Sequence, residues 1–464
     1  MEYPITFIDR EEELQALDWE YRRPAASFVV LYGRRRIGKT ALIREFLKDK
    51  EAVYFLATEE SEDQNRDMLK NLIAGFTGNP LLEGASVKDW TLIFEALAGF
   101  ETPGKKILVI DEFQYLGKTN PAFPSIMQKI WDTLLLNRDI MLILCGSLIS
   151  MMESQTLAYT SPLYGRRTAQ IKLRQIPFRY YGQFFQGKSR EESVKLYALT
   201  GGVPRYIELF RSPGDIFGAI RKNILSRTSF LYDEPNFLLL RELGQVGSYF
   251  SIIKTIAAGN HKMGDIAASL GLKQTGLTKY LTTLINLDIL EREVPVTETQ
   301  PEKSKRGLYR IKDNFILFWF KFVYPALSYL ESGNEAPVMD RIRANFIDGH
   351  VSYVYEAICR EEFFYLNAPN KSFRYNKIGR WWDKNHEIDM VALDTEGQDI
   401  LFGECKFRKS KTGINVFLEL LEKARKVDWK QGERRERYAL FSIGGFTEEL
   451  IAFAKTREDL LLYQ

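Results

Sequence analysis

Two groups of residues in this 464-residue chain have the types and spacing that phosphate chemistry requires. The first is the run Gly33, Arg34, Arg35, Arg36, Ile37, Gly38, Lys39, Thr40 and Ala41. Its glycines permit unusual dihedrals and close approach, so backbone amides can surround phosphate oxygens. Lys39 then stands for the β- and γ-phosphates of a nucleoside triphosphate, and the Thr40 hydroxyl for Mg²⁺. The three arginines either touch phosphate or form a solvated basic turn. The second group is Glu387 and Asp389, followed by Glu404 and Lys406. Side chains two apart on a strand share a face, so Glu404 and Lys406 point the same way, and Asp389 on an adjoining strand can meet Glu404 across a metal. Two carboxylates holding Mg²⁺ would polarise a scissile phosphate, with Lys406 positioning water or stabilising charge. A salt-bridged hairpin without chemistry is the alternative.

The elements that must position these groups are legible as apolar runs. Ser27–Tyr32 suits a strand covered on both faces, and the segment after Lys39 has helical spacing, which gives the glycine loop a strand-loop-helix setting. A second apolar strand over residues 106–110 ends in Asp111 and Glu112. In a parallel sheet that end stands beside the glycine loop, where Asp111 can orient Mg²⁺ and Glu112 the attacking water. Residues 141–145 form a third strand, followed by Gly146 and by Ser147 as a sensor of the γ-phosphate.

These motifs, with residues 7–14, 164–167 and 201–206, make the first half of the chain resemble the archaeal-type ATPases, a P-loop family related to AAA+ and STAND proteins. The resemblance implies a P-loop NTPase parallel sheet with a helical lid, ATP and Mg²⁺ as cofactors, and ATP hydrolysis. It also implies a finger-like arginine at Arg166 or Arg167, and Arg205 in the lid near nucleotide. If Arg166 acts across subunits, the protein is a homo-oligomer.

Beyond the lid, residues 264–290 read as a short helix, a turn at Gly271 and a longer helix from Gln274, a winged helix-turn-helix pattern whose wing strands fall near 290 and 307–311. Lys273, Gln274, Thr275, Thr278 and Lys279 face a DNA groove in that reading, with Lys262 and residues 303–306 on phosphates. A protein-interaction spacer is the alternative. Residues 315–324 are strongly aromatic but contain Lys321 and are too short for a membrane span, so they read as a buried helix. The last part, a helix over 338–368 and then strands, resembles the PD-(D/E)xK nucleases and the domain often fused to these ATPases. The matching residues are Glu356 as a metal ligand on the first helix, Asp389, Glu404 and Lys406, although no proline precedes Asp389.

The expected organisation is an ATPase core over 1–180, a lid over 181–240, a winged helix over 241–312, an aromatic linker over 313–337 and a restriction-endonuclease-like α/β domain over 338–464. Charged residues at 27% and hydrophobic residues at 45% are ordinary for a folded protein. A net charge of +3 permits a nucleic-acid partner without requiring one. Residues 404–437 hold eleven Lys or Arg against six Asp or Glu, a local basic rim. Three separated cysteines argue against a disulfide framework, and the N-terminal residues lack a secretory pattern, so a cytoplasmic location is expected. The function expected is ATP hydrolysis coupled to a DNA-binding, DNA-cleaving C-terminal domain. The alternative is a non-cleaving ATP-dependent switch or protein scaffold.

Overall fold

The computed structural model describes residues 7–211, 214–243, 246–366 and 374–464. The chain divides into two compact units, the first comprising Met1–Ile176, Val203–Arg205 and Leu238–Gly244, the second the remainder.

In the first unit, strands β1 (Ser27–Tyr32), β2 (Ala52–Leu56), β3 (Lys106–Asp111), β4 (Ile140–Gly146) and β5 (Ala169–Lys172) form one sheet in the order β2-β3-β4-β1-β5. Every pairing is parallel. Every residue of β1, β3 and β4 is buried, as unbroken apolar runs require when helices cover both faces. Helices α1 (Glu11–Arg22) and α2 (Lys39–Leu47) supply Leu17, Leu42, Ile43 and Phe46 to a core with Val29, Leu31, Val109 and Ile143. The register does the positioning. Tyr32 pairs with Gly146 and Ile110 with Leu144, so the residues that follow β1, β3 and β4 all emerge at one sheet edge. Helix α3 (Glu234–Leu243) contributes its residues from Leu238 onward to the same unit.

The second unit contains helices α4 (Gly247–Ala257), α5 (Met263–Leu270) and α6 (Gln274–Asn286), then the antiparallel pair β6 (Leu290–Glu293) and β7 (Leu308–Ile311). Gly271, at φ 64°, stops α5 in the left-handed conformation that favours glycine. On α6, Leu277, Leu281 and Leu284 are buried, while Lys273, Gln274, Thr275, Thr278 and Lys279 are exposed. Helix α7 (Asn314–Phe318) continues as a wider turn over Trp319–Val323. Its aromatic side chains pack inward, and Trp319 Nε1 donates to Tyr232 O at 2.7 Å. Among the described residues no helix is long and apolar enough to cross a membrane.

The expected helix over 338–368 is α8 (Ala336–Phe346), a wide turn at Ile347–Val351 and α9 (Ser352–Leu366), with its last two positions outside the described residues. A second sheet follows, of β8 (Lys377–Trp382), β9 (Glu387–Leu393), β10 (Asp399–Lys406), β11 (Arg435–Ser442) and β12 (Leu460–Tyr463), ordered β12-β11-β10-β9-β8. β8, β9 and β10 run antiparallel, while β10, β11 and β12 run parallel. Helix α10 (Ile414–Ala424) connects β10 to β11 and packs Phe417 and Leu420 on the apolar face with Ile388, Val391, Phe402 and Leu440. Phe417 is fully buried. Phe417→Ala is expected to cost about 3–5 kcal/mol, seen as an earlier urea midpoint for the signals of this sheet.

Candidate functional site

The glycine loop closes on itself around Lys39. Gly33, at φ 151°, lies so near the chain that a Cβ there would sit 2.5 Å from Leu173 O. Gly38, at φ 95°, is the N-cap of α2. The buried Lys39 donates from Nζ to Gly33 O at 2.8 Å and Arg34 O at 2.9 Å. Burial lowers its pKa, while the charges of Glu112 and Asp111 favour its protonated form. A brace missing from the sequence reading comes from Arg10. Its Nη2 donates to Ile37 O at 3.2 Å and to Arg174 O at 2.7 Å, tying the loop to the chain after β5. The signal available was an arginine set among the acids of residues 9–13.

Asp111 and Glu112 stand beside that loop. Thr40 Oγ1 lies 3.4 Å from Asp111 Oδ2, a hydroxyl and a carboxylate of the kind a hard divalent cation takes. Tyr54, also missed from sequence, donates to the same carboxylate, and its own pKa is raised first by burial and then by Asp111. Asp111 Oδ1 accepts from the Glu112 amide at 2.9 Å. Glu112 holds a left-handed backbone at φ 55°, unusual for a non-glycine residue and of the kind found where chemistry is positioned. Its carboxylate accepts from Ser147 Oγ at 2.7 and 2.9 Å, and from the Gln114 amide. Arg35 reaches Ser147 Oγ at 3.4 Å and Tyr115 Oη at 3.1 Å. Gly146 permits this packing, since a Cβ there would overlap Gln114 and Met152.

Two further carboxylates frame the arginines. Glu242 of α3 accepts from the Ile149 amide at 3.3 Å, and burial pushes its pKa up to about 7 against the opposing charge of Arg34. Arg166 is joined through Nε and Nη2 to Asp132 at 2.9–3.1 Å and through Nη1 to Pro162 O at 2.8 Å. Arg167 lies over the ring of Tyr164, at 5.8 Å. Arg205 is exposed, next to Pro204, whose Cγ is 3.8 Å from where a Cβ of Gly38 would stand.

The register Gly403↔Met390 brings Asp389 beside Glu404. Asp389 Oδ2 accepts from the Cys405 amide at 2.9 Å, yet burial and the Glu404 charge push its pKa up to about 6. Glu404 accepts from Lys406 Nζ at 2.8 Å and from Lys423 Nζ at 3.1 and 3.2 Å. Glu356 is pushed up to about 8 by burial and by Asp389, and it faces Arg380 at 3.7 Å and Arg360 at 3.9 Å. Glu387 is largely exposed and pairs with Arg380 at 3.1 Å. Among the described residues, no group of three or more His, Cys, Asp or Glu side chains is arranged to hold a metal ion. The structure thus brings Asp389, Glu404 and Lys406 together, adds Lys423 from α10, and turns Glu356 toward arginines.

The two raised carboxyls imply a pH signature. Each binds its proton more tightly folded than unfolded, so the stabilisation is present at low pH and is lost as pH climbs from the ordinary carboxylate range toward 8. Thermal unfolding between pH 5 and 8.5 should show a falling midpoint, to which the raised Glu242 also contributes, and Glu356→Gln, which stays neutral, should remove the largest single share of that fall.

Residues 7–210 match a family profile described as an ATPase domain predominantly from Archaea, and residues 319–417 one described as archaeal and bacterial proteins of unknown function. The uncharacterized protein MJECL04 of Methanocaldococcus jannaschii is 37% identical over 424 residues, 91% of this chain and 92% of that protein. The uncharacterized ATP-binding protein MJ0423 of the same organism is 46% identical over 46 residues, 10% of this chain and 78% of that protein. Among solved structures, the Walker-type ATPase Paby2304 of Pyrococcus abyssi superposes with a TM-score of 0.52 at 20% identity, covering 68% of this chain and 96% of that one, a likeness of fold. With its glycine loop, its Asp111-Glu112 strand end and a relative matched along nearly its whole length, the chain belongs to the archaeal-type P-loop ATPases.

Proposed function

We propose that this ATPase is a nucleotide-dependent switch whose C-terminal half binds nucleic acid without cutting it. The observation that carries the reading is the pair of lysines on Glu404. Lys406 and Lys423 both donate to its carboxylate, and charge-assisted bonds of this kind neutralise a group that would otherwise hold a metal.

At the nucleotide end, Lys39 would leave the carbonyls of Gly33 and Arg34 for the β- and γ-phosphates. Thr40 and Asp111 fit Mg²⁺, which when bound would neutralise charge on the phosphates. Glu112 would orient the attacking water. Its bonds to Ser147 and Gln114 hold it in place beforehand, and Ser147 also faces Arg35, so a γ-phosphate that attracted Arg35 would alter the grip on Glu112. The charge of Arg34 is felt at Glu242, and α3 is shared between the two units, which makes this helix our inferred route from nucleotide to the C-terminal half.

For the partner we favour nucleic acid. We read α5, α6, β6 and β7 as a winged helix, with Lys273, Gln274 and Lys279 exposed on the second helix. A recess of 700 Å³ beside the β6-β7 loop is lined by Lys262, Lys305, Arg306, Lys384, Lys426 and the indole of Trp382. Its three carboxylates, Glu298, Asp383 and Asp428, leave a cationic excess suited to a phosphate backbone. The second reading, cleavage, is favoured by one observation, Asp389 beside Glu404 and Lys406 on a sheet we take to be nuclease-like.

Lys39→Ala and Glu112→Gln should each lower ATP turnover by about a hundredfold or more, in the range seen when groups that position or stabilise a transferred phosphoryl are removed. Retained turnover in both would reject the nucleotide site. In fluorescence anisotropy with labelled DNA, affinity should differ between ATP-bound and nucleotide-free protein, and Lys305→Ala with Arg306→Ala should reduce the log-log salt slope by about 2. Incubation of single- and double-stranded DNA with Mg²⁺ or Mn²⁺ should give no fragments. Fragments that vanish in Asp389→Ala would establish the cleaving reading instead.

A further inference from the structure

We propose that a cavity in the second unit, enclosed by α4, β7, α7 and its continuation, α8 and α9, is a binding site for a small amphipathic anion, an apolar body carrying one phosphate or carboxylate group. The cavity measures 560 Å³, within the range of small-molecule sites. Its walls are chiefly apolar, with Leu317 and Phe320 among them, yet four basic side chains enter it: Lys254, Arg310, Lys321 and Arg341. Among the described residues, no aspartate or glutamate lines it.

The basic groups converge from four elements. Arg310 of β7 is fixed by Glu293 at 2.7 Å and lies 5.0 Å over the ring of Tyr353, so its guanidinium is oriented before anything binds. Lys254, in the last turn of α4, lies 5.8 Å over Tyr324, and its charge opposes the negative end of that helix, which by itself repels an anion. Lys321 donates to Gly349 O, and among the described residues it pairs with no carboxylate. Burial lowers its pKa and the charge of Arg341 lowers it further, so this ammonium is held against both solvent loss and a like charge. Arg310 already has Glu293 as its counter-charge, and Lys254 and Arg341 are exposed, so the cost falls on the half-buried Lys321, a cation without a carboxylate partner among the described residues that an anion would complete. The apolar walls account for the other half of the ligand, since they bury hydrocarbon that water would disfavour.

Isothermal calorimetry on the full chain tests this with 1-naphthyl phosphate, 2-naphthoate, 2-naphthol and inorganic phosphate. Naphthyl phosphate should bind with Kd at or below about 1 mM, identically in the Lys39→Ala protein, which separates this cavity from the glycine loop. Naphthoate should bind comparably if the acidic head is interchangeable, whereas naphthol and inorganic phosphate should each bind at least about tenfold more weakly, as both halves of the ligand contribute. Ala257→Trp, which fills the cavity, and Lys321→Met should weaken naphthyl phosphate by about tenfold or more. Circular dichroism checks that these variants fold, and the exposed Lys254→Met gives a smaller loss of about threefold in a protein whose fold is not at risk. Absence of binding heat, equal binding of naphthol, loss of binding on Lys39→Ala, or no change in Ala257→Trp and Lys254→Met would each overturn the assignment.

Discussion

Parallel pairing of β1 with β4 and of β4 with β3 is the constraint on which the nucleotide end of the molecule depends. Because the three strands are in register, their ends deliver Gly33, Asp111 and Ser147 to a single edge. A slip of one residue would exchange the faces of every side chain in a strand, and these strands are buried on both faces, so packing opposes the slip throughout. This arrangement is thus held by apolar area remote from it. Local chemistry completes it through the left-handed Glu112, the close approach at Gly33 and the hydrogen bonds of Ser147.

The C-terminal sheet places charge differently. Asp389 and Glu404 lie side by side in a buried setting, and each raises the proton affinity of its neighbours while lysines and arginines counter the effect. Glu404 has two ammonium partners, and Glu356 has two guanidinium neighbours. A carboxylate pair without this cationic shell would repel itself or bind a cation. Here the chain carries its own neutralising groups.

The glycine loop, the Asp111-Glu112 strand end and Ser147 were legible because each is a local pattern, a few residues long and bounded by an apolar run. The hairpin of β9 and β10 was legible for the same reason, since two apolar runs joined by a short turn fix both strands. What could not be read were partners distant in sequence. Arg10 and Arg174 are 164 residues apart, and nothing in either segment announces the other. Tyr54 on Asp111, Glu242 near Arg34 and Lys423 on Glu404 belong to the same class. Lys423 looked like part of a solvated basic rim because its helix carries charge on the outer face, and only the crossover from β10 to β11 turns it toward Glu404.

The tie from Arg10 to the glycine loop has a bearing on how the chain can be dissected. A fragment cut to start just ahead of β1 would retain Gly33, Lys39, Thr40, Asp111 and Glu112, and by motif it would pass as intact. It would nonetheless lack the Arg10 guanidinium, which links the loop's Ile37 carbonyl to the strand-exit carbonyl at Arg174. Its glycine loop would lose that tie at Ile37, so a nucleotide-binding fragment that keeps the loop as it stands here must begin upstream of the first strand.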